Sequence, residues 1–140
     1  MTILIIINTI IFTSLSALHF YWAFGGKSFS GATVPTNMKG KKTFNPGMTA
    51  TLVVAFGLIL FALVTLGNTG IFDKSIPGKF IQYATYGISI IFFLRAVGDF
   101  KYVGYFKKIK GTAFAGKDAR IYSPLCLAIS VSSFVITLGN

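Results

Sequence analysis

Four long apolar segments, each bounded by polar or charged residues, divide this chain. They cover about residues 2–24, 46–66, 77–99 and 122–138. An α-helix needs about 20 apolar residues to cross the hydrocarbon core of a bilayer. The apolar residues form continuous blocks and do not alternate with polar ones, so they do not describe one water-soluble core. The pattern therefore predicts an all-α protein, a four-helix transmembrane bundle that forms a single domain over residues 1–140.

Proline and glycine mark the ends of these segments. Asn45 and Ser123 precede two of the starts and are suitable N-cap residues. Gly25 directly follows the first segment and Gly67 directly follows the second, as helix-ending glycines do. Three segments carry proline at the first predicted helical position, where its missing N–H is no disadvantage: Pro46, Pro77 and Pro124.

The cations are distributed unevenly among the connections between the segments. Of the 13 Lys and Arg residues, only Lys74 and Lys79 belong to the second connection and the start of the third segment. Lys and Arg accumulate on the cytoplasmic side of a membrane. We therefore predict that the first and third connections are cytoplasmic and that both termini are outside. The remaining eleven cations lie in the first connection, in the third connection or at the end of the third segment: Lys27, Lys39, Lys41, Lys42, Arg95, Lys101, Lys107, Lys108, Lys110, Lys117 and Arg120.

Composition excludes several classes of function. The net charge is +10, but it lies beside membrane segments, where it anchors topology and attracts anionic lipid headgroups. No nucleic-acid-binding motif accompanies it, so no nucleic-acid partner is predicted. The lone Cys126 cannot form an internal disulfide or a CxxC pair. The lone His19 cannot supply a three-ligand zinc site, and neither metal nor cofactor is predicted. No carboxylate lies in the middle of a predicted span, which disfavours proton-coupled export.

Ionisable residues at the predicted cytoplasmic ends form the candidate site, because charge inside a membrane is costly and is usually functional. The guanidinium fork of Arg95 suits phosphate or carboxylate, although Arg95 and Asp99 could instead pair at i, i+4. His19 is either a proton carrier and candidate catalytic residue, or a packing residue in an aromatic belt, which we favour. The candidate ligand-binding set, whose members share this depth, is His19, Tyr21, Trp22, Arg95, Asp99, Tyr102, Asp118 and Tyr122.

Small and hydroxylated residues form a stripe on two of the segments. Such stripes allow close helix packing and weak hydrogen bonds between membrane helices. We predict a structural role for them, and a polar wall lining a conduit is the alternative. The stripe comprises Thr9, Thr13 and Ser16 on the first segment, and Cys126, Ser130, Ser133 and Thr137 on the fourth.

Several stretches resemble a known family of small bacterial membrane proteins, described only as a domain of unknown function. They are residues 18–26, 34–35, 95–108, Asp118 and 122–126, and the Arg-x-x-Gly-Asp-Phe stretch at 95–100 is the most specific. The resemblance spans nearly the whole chain. It implies a multi-pass protein of the bacterial inner (cytoplasmic) membrane, and it implies no activity, substrate or cofactor.

The leading functional prediction is binding or transport of an anionic or lipid-like ligand at the cytoplasm-facing polar cluster. The predicted partners are membrane lipids with anionic headgroups at that face. Two alternatives stay open. One is a membrane-embedded enzyme acting on a lipid or isoprenoid substrate, with His19 as general acid or base and Arg95 holding phosphate. The other is an accessory subunit that packs on a second copy or on another membrane protein.

Overall fold

The computed structural model describes residues 1–25, Lys39, residues 47–98 and residues 121–140. Within these ranges the chain is helical and contains no strand. Helix α1 covers Thr2–Ala23, α2 Met48–Gly67, α3 Gly78–Val97 and α4 Ser123–Gly139. Each bound lies within two residues of the predicted one, which confirms the four-helix architecture.

The helix ends agree with the glycine signals but not with the predicted serine cap. Helix α1 ends at Ala23 and α3 at Val97. The glycines that follow them, Gly25 and Gly98, have φ angles of 92° and 86°, which disfavour residues with a side chain. Helix α4 begins at Ser123, one residue before the predicted first helical position at Pro124, and its N-cap is Tyr122. The prediction of Ser123 as N-cap is therefore wrong. Because Tyr122 already has helical angles (φ −70°, ψ −49°), Ser123 lies inside the helix and faces the interior. Asn45 and Pro46 lie outside the described residues.

The four helices pack as two antiparallel pairs. Helix α1 lies mainly along α2, and α3 lies mainly along α4, while contacts between the pairs are fewer. Three aromatic rings join the pairs at the centre of the bundle. The Phe12 ring of α1 lies 5.8 Å from Phe61 of α2 and 5.5 Å from Phe92 of α3, and the latter two lie 6.1 Å apart between centroids. Phe12 has no exposed surface, so this aromatic cluster forms the bundle centre.

Both termini and the short α2–α3 connection lie at one end of the bundle. The Met1 side chain packs against Gly139, and the Asn140 Nδ2 donates a hydrogen bond of 2.8 Å to Asn68 Oδ1. We call this the terminal end. The opposite end, where α1 and α3 finish and α2 and α4 begin, is the loop end. The end that faces the cytoplasm stays a prediction.

The outer surface of the bundle is apolar and its interior is partly polar. Large apolar side chains such as Ile3, Val53, Phe93 and Leu138 are exposed around the bundle. Helices α1, α2 and α3 are long and apolar enough to span a membrane, and α4 is apolar but shorter, at 17 residues. Nine described polar residues are nevertheless buried: Asn8, Ser16, Thr65, Thr85, Ser89, Ser123, Ser130, Ser133 and Thr137. This distribution is that of a membrane protein, whose exterior meets lipid and whose interior holds its polar contacts.

Several of the buried hydroxyls join helices, as the stripe on α4 predicted, and others donate within their own helix. Ser89 and Ser130 exchange hydrogen bonds, each Oγ donating to the other residue's carbonyl at 2.8 Å. Ser16 Oγ donates to the Ala55 carbonyl at 2.7 Å and joins α1 to α2. Thr13 departs from the prediction: it is exposed, and its Oγ1 donates to the Thr9 carbonyl of its own helix. A threonine can satisfy its hydroxyl in this way without a second helix.

Asn8 joins the two helix pairs. It is almost fully buried, and its Nδ2 donates to Ser133 Oγ at 3.2 Å, while Ser132 Oγ donates to its Oδ1 at 2.9 Å. An amide in hydrocarbon needs such partners, because unpaired polar groups there are costly. Asn8 therefore connects α1 to α4, where the helices otherwise touch little.

Asn8→Leu is expected to lower the free energy of unfolding by about 1–2 kcal/mol, since interhelical hydrogen bonds in membranes contribute about that much. Thr13→Val is the matched control on the same helix, and it should change stability by less than about 0.5 kcal/mol. Stability would be measured by SDS-induced unfolding in mixed micelles. Equal losses in the two variants would show that the Asn8 network does not hold the pairs together.

Candidate functional site

The last turns of α1 form an aromatic wall at the loop end. His19 is half-buried, and its ring lies 5.1 Å from the Trp22 ring in an edge-to-face arrangement. His19 Nδ1 lies 2.7 Å from the Leu15 carbonyl oxygen. Because a carbonyl can only accept, Nδ1 is the protonated nitrogen, and Nε2 is the atom left for a ligand or a proton. Tyr21, by contrast, is 46% exposed and points toward the surroundings of the bundle.

Arg95 lies in the last turn of α3, where cations are favourable because the helix dipole is negative at its C-terminus. Its side chain is half-buried, and one guanidinium nitrogen, Nη1, is enclosed by protein. The next residue, Ala96, is almost fully buried. A guanidinium group held this deeply requires negatively charged or hydrogen-bonding neighbours. Arg95 is therefore placed for an ion pair or for an anionic ligand.

The start of α4 contributes a second enclosed polar group to the loop end. Ser123 has no exposed surface, and its Oγ forms no hydrogen bond within the part of the chain that the structure describes. The neighbouring Tyr122 is half-buried. Because α3 and α4 pack along each other, this hydroxyl belongs to the same end of the same helix pair as Arg95. Sequence reasoning missed Ser123, which it assigned to a cap.

The predicted candidate set is thus placed in part. Asp99, Tyr102 and Asp118 lie outside the described residues. His19 and Trp22 are brought together on α1, and Arg95 and Tyr122 lie at the loop end of the other helix pair. Convergence of these two groups into one pocket stays a prediction.

A cavity at the opposite, terminal end was not predicted. It has a volume of about 520 Å³ and opens where the α2–α3 connection meets the end of α4. Its polar lining comes from four regions of the chain: Asn68, Asp73, Lys79, Gln82 and Asn140. The only signal in the sequence was the presence of three amide side chains near the ends of apolar segments. Among the described residues, no three His, Cys, Asp or Glu side chains converge as a metal site would require.

The bundle described above, apolar outside and partly polar within, defines a small integral-membrane protein. A family model for a protein of unknown function (DUF3995) matches residues 12–133. The chain belongs to this family, which confirms the resemblance carried by the Arg-x-x-Gly-Asp-Phe stretch. No curated protein and no solved structure matches the chain.

Proposed function

We propose that this membrane protein binds an anionic ligand, a phosphate- or carboxylate-bearing lipid headgroup, at the loop end of the bundle. The observation that carries the proposal is the position of Arg95, whose guanidinium group is half-buried with Nη1 enclosed. A planar guanidinium binds such anions through two parallel hydrogen bonds. The positive charge of this group would repel a cationic ligand, and an entirely apolar ligand would gain nothing from it.

The charge balance at this end supports an external anion. Eleven of the 13 cations belong to α3's last turn and the two connections at the loop end, whereas the chain has only 3 acidic residues. One of these, Asp73, lies at the terminal end. Asp99 and Asp118 cannot neutralise so many cations, so most of the positive charge must be balanced from outside the chain. Each Lys or Arg near an anionic membrane surface contributes about 1 kcal/mol of attraction.

Other residues at the loop end supply the further chemistry of the proposed site. Ser123 offers a buried hydroxyl at the same end, and Trp22 presents an amphipathic ring of the kind found at headgroup level. His19 Nε2 could donate to an anion when the ring is protonated. We assign His19 and Trp22 the role of a wall, with Arg95 as the charged contact. Binding or transport of the headgroup needs no catalytic residue.

Arg95→Ala is expected to weaken binding of anionic lipid by about tenfold or more, because a hydrogen bond to a charged group contributes about 1.5–3 kcal/mol. Native mass spectrometry of the full chain from mixed nanodiscs would count retained phosphatidylglycerol and phosphatidylcholine. Arg95→Lys keeps the charge but cannot form the two parallel hydrogen bonds, so an intermediate loss of lipid binding is expected.

Lys74→Ala is the matched control, since it removes one exposed cation from the terminal end. It should leave retention of phosphatidylglycerol unchanged. Thermal unfolding in the same detergent would show that Arg95→Ala is folded. Wild-type retention of anionic lipid by a folded Arg95→Ala variant, or an equal loss in Lys74→Ala, would overturn the proposal.

A further inference from the structure

The geometry of the terminal end points to a second binding site, independent of the first. We propose that the cavity of about 520 Å³ binds a zwitterion that carries a primary ammonium group and a phosphate. Its volume lies in the range of small-molecule sites in proteins. The same chemistry occurs in the headgroup of phosphatidylethanolamine and in free phosphoethanolamine. Both sources can reach a cavity that opens at the end of membrane-spanning helices.

The charged side chains that line the cavity are one carboxylate and one ammonium group. Asp73 and Lys79 both line it, and they do not form an ion pair with each other. A simple anion would meet the Asp73 carboxylate, and a simple cation would meet the Lys79 ammonium group. A zwitterion can satisfy both groups at once, with its ammonium at Asp73 and its phosphate at Lys79.

The Asp73 carboxylate lies close to the backbone of the connection at Gly70. Gly70 has a φ of +83°. If residue 70 carried a side chain, its Cβ would lie 2.9 Å from Asp73 Oδ2. The connection is closed by hydrogen bonds from the Asp73 N–H to the Gly70 carbonyl (3.1 Å) and from the Ile76 N–H to the Phe72 carbonyl (2.8 Å). The carboxylate therefore lies over Gly70, on an ordered turn.

Amide side chains complete the polar lining. The two N–H groups of Asn68 Nδ2 are shared among the Val64 and Thr65 carbonyls and Thr85 Oγ1, and its Oδ1 accepts a hydrogen bond from Asn140. Gln82 Nε2 donates to the Thr137 carbonyl at 3.1 Å. These bonds leave the Gln82 and Asn140 amide oxygens without a donor in the described part of the chain. Together with Asp73 they are acceptors for the three N–H groups of a primary ammonium.

Isothermal titration of the full chain in phosphatidylcholine nanodiscs with phosphoethanolamine tests the free form of the ligand. Native mass spectrometry from nanodiscs that contain phosphatidylethanolamine tests the lipid form. Binding that persists in Arg95→Ala, in either arm, supports the proposal and identifies the source, because this variant lacks the loop-end contact for phosphate. Absence of binding in both arms would overturn it.

Charge-removing variants test the assignment of the two groups. Asp73→Asn and Lys79→Gln should each weaken binding by about tenfold or more, whereas Lys74→Gln, on an exposed lysine outside the cavity, should change it less than about twofold. Ethanolamine should lose affinity only in Asp73→Asn, and methyl phosphate only in Lys79→Gln. Wild-type affinity in both cavity variants would refute the site. The same comparison in the Arg95→Ala background removes the charged contact of the loop end, so the proposals at the two ends stand or fall separately.

Discussion

Replacing Phe12 with alanine is expected to lower the free energy of unfolding by about 2–3 kcal/mol, the largest stability loss that we predict for a side chain of this bundle. Phe12 has no exposed surface and contacts rings from two other helices, Phe61 and Phe92. In water-soluble cores Phe→Ala costs about 3–5 kcal/mol. Part of this cost is the lost free energy of transferring the ring from water into the core. That part falls away in lipid, where packing contacts drive association. The loss of those contacts and the remaining cavity account for our smaller value.

The control for this experiment is Phe93 of α3, whose side chain is 51% exposed on the outer surface of the bundle. Phe93→Ala should change stability by less than about 0.5 kcal/mol, because lipid chains fill the space that the ring leaves. SDS-induced unfolding of both variants in the same micelles provides the comparison. If Phe93→Ala were as damaging as Phe12→Ala, the aromatic cluster would not be the centre of the bundle.

The second large effect is expected at Gly67, where α2 approaches α3. A Cβ at this position would lie 2.8 Å from Ile81 Cδ1 and 3.2 Å from its Cγ2. Ile81 is itself buried, so it has little room to move. Gly67→Val is therefore expected to cost about 1–3 kcal/mol, the usual range for overpacking a core.

Gly57 offers a matched control in the same helix. A Cβ added there meets no atom within 4 Å, so Gly57→Val places its side chain in the lipid. Its stability should equal or exceed that of the wild type, because glycine disfavours helix formation. Thermal unfolding in one detergent would compare the two variants. Similar midpoints for Gly67→Val and Gly57→Val would mean that α2 and α3 do not approach closely at the terminal end.

The sequence predicted the helices well because their signals are local. Blocks of about 20 apolar residues, and the glycines at 25 and 67, act within one segment and its immediate neighbours. The error at Ser123 came from the same kind of signal. A residue caps a helix only when the residue before it leaves the helix, and Tyr122 keeps helical angles. Side-chain identity alone does not decide that.

The sequence predicted polar contacts between helices only where polar residues recur at regular spacing along one helix. Ser130 and Ser133 on α4 form a regular stripe, and both are buried. Asn8 and Gln82 are single amides in apolar segments, so no period marks them, yet they join α1 and α3 to α4. The cavity at the terminal end was out of reach for a similar reason. Its lining joins Asn68 to Asn140, which are 72 residues apart in the chain.

The sequence by itself determined that this chain forms four apolar helices and that its cations gather beside two of the connections. In lipid each helix satisfies its own backbone hydrogen bonds, so a segment's length and hydrophobicity are enough to specify it. The tertiary structure alone decided which helices pair, that Asn8 and Ser123 are enclosed, and that a cavity opens beside Asp73 and Lys79. These features depend on how distant side chains fit together in space, and no single segment carries that information.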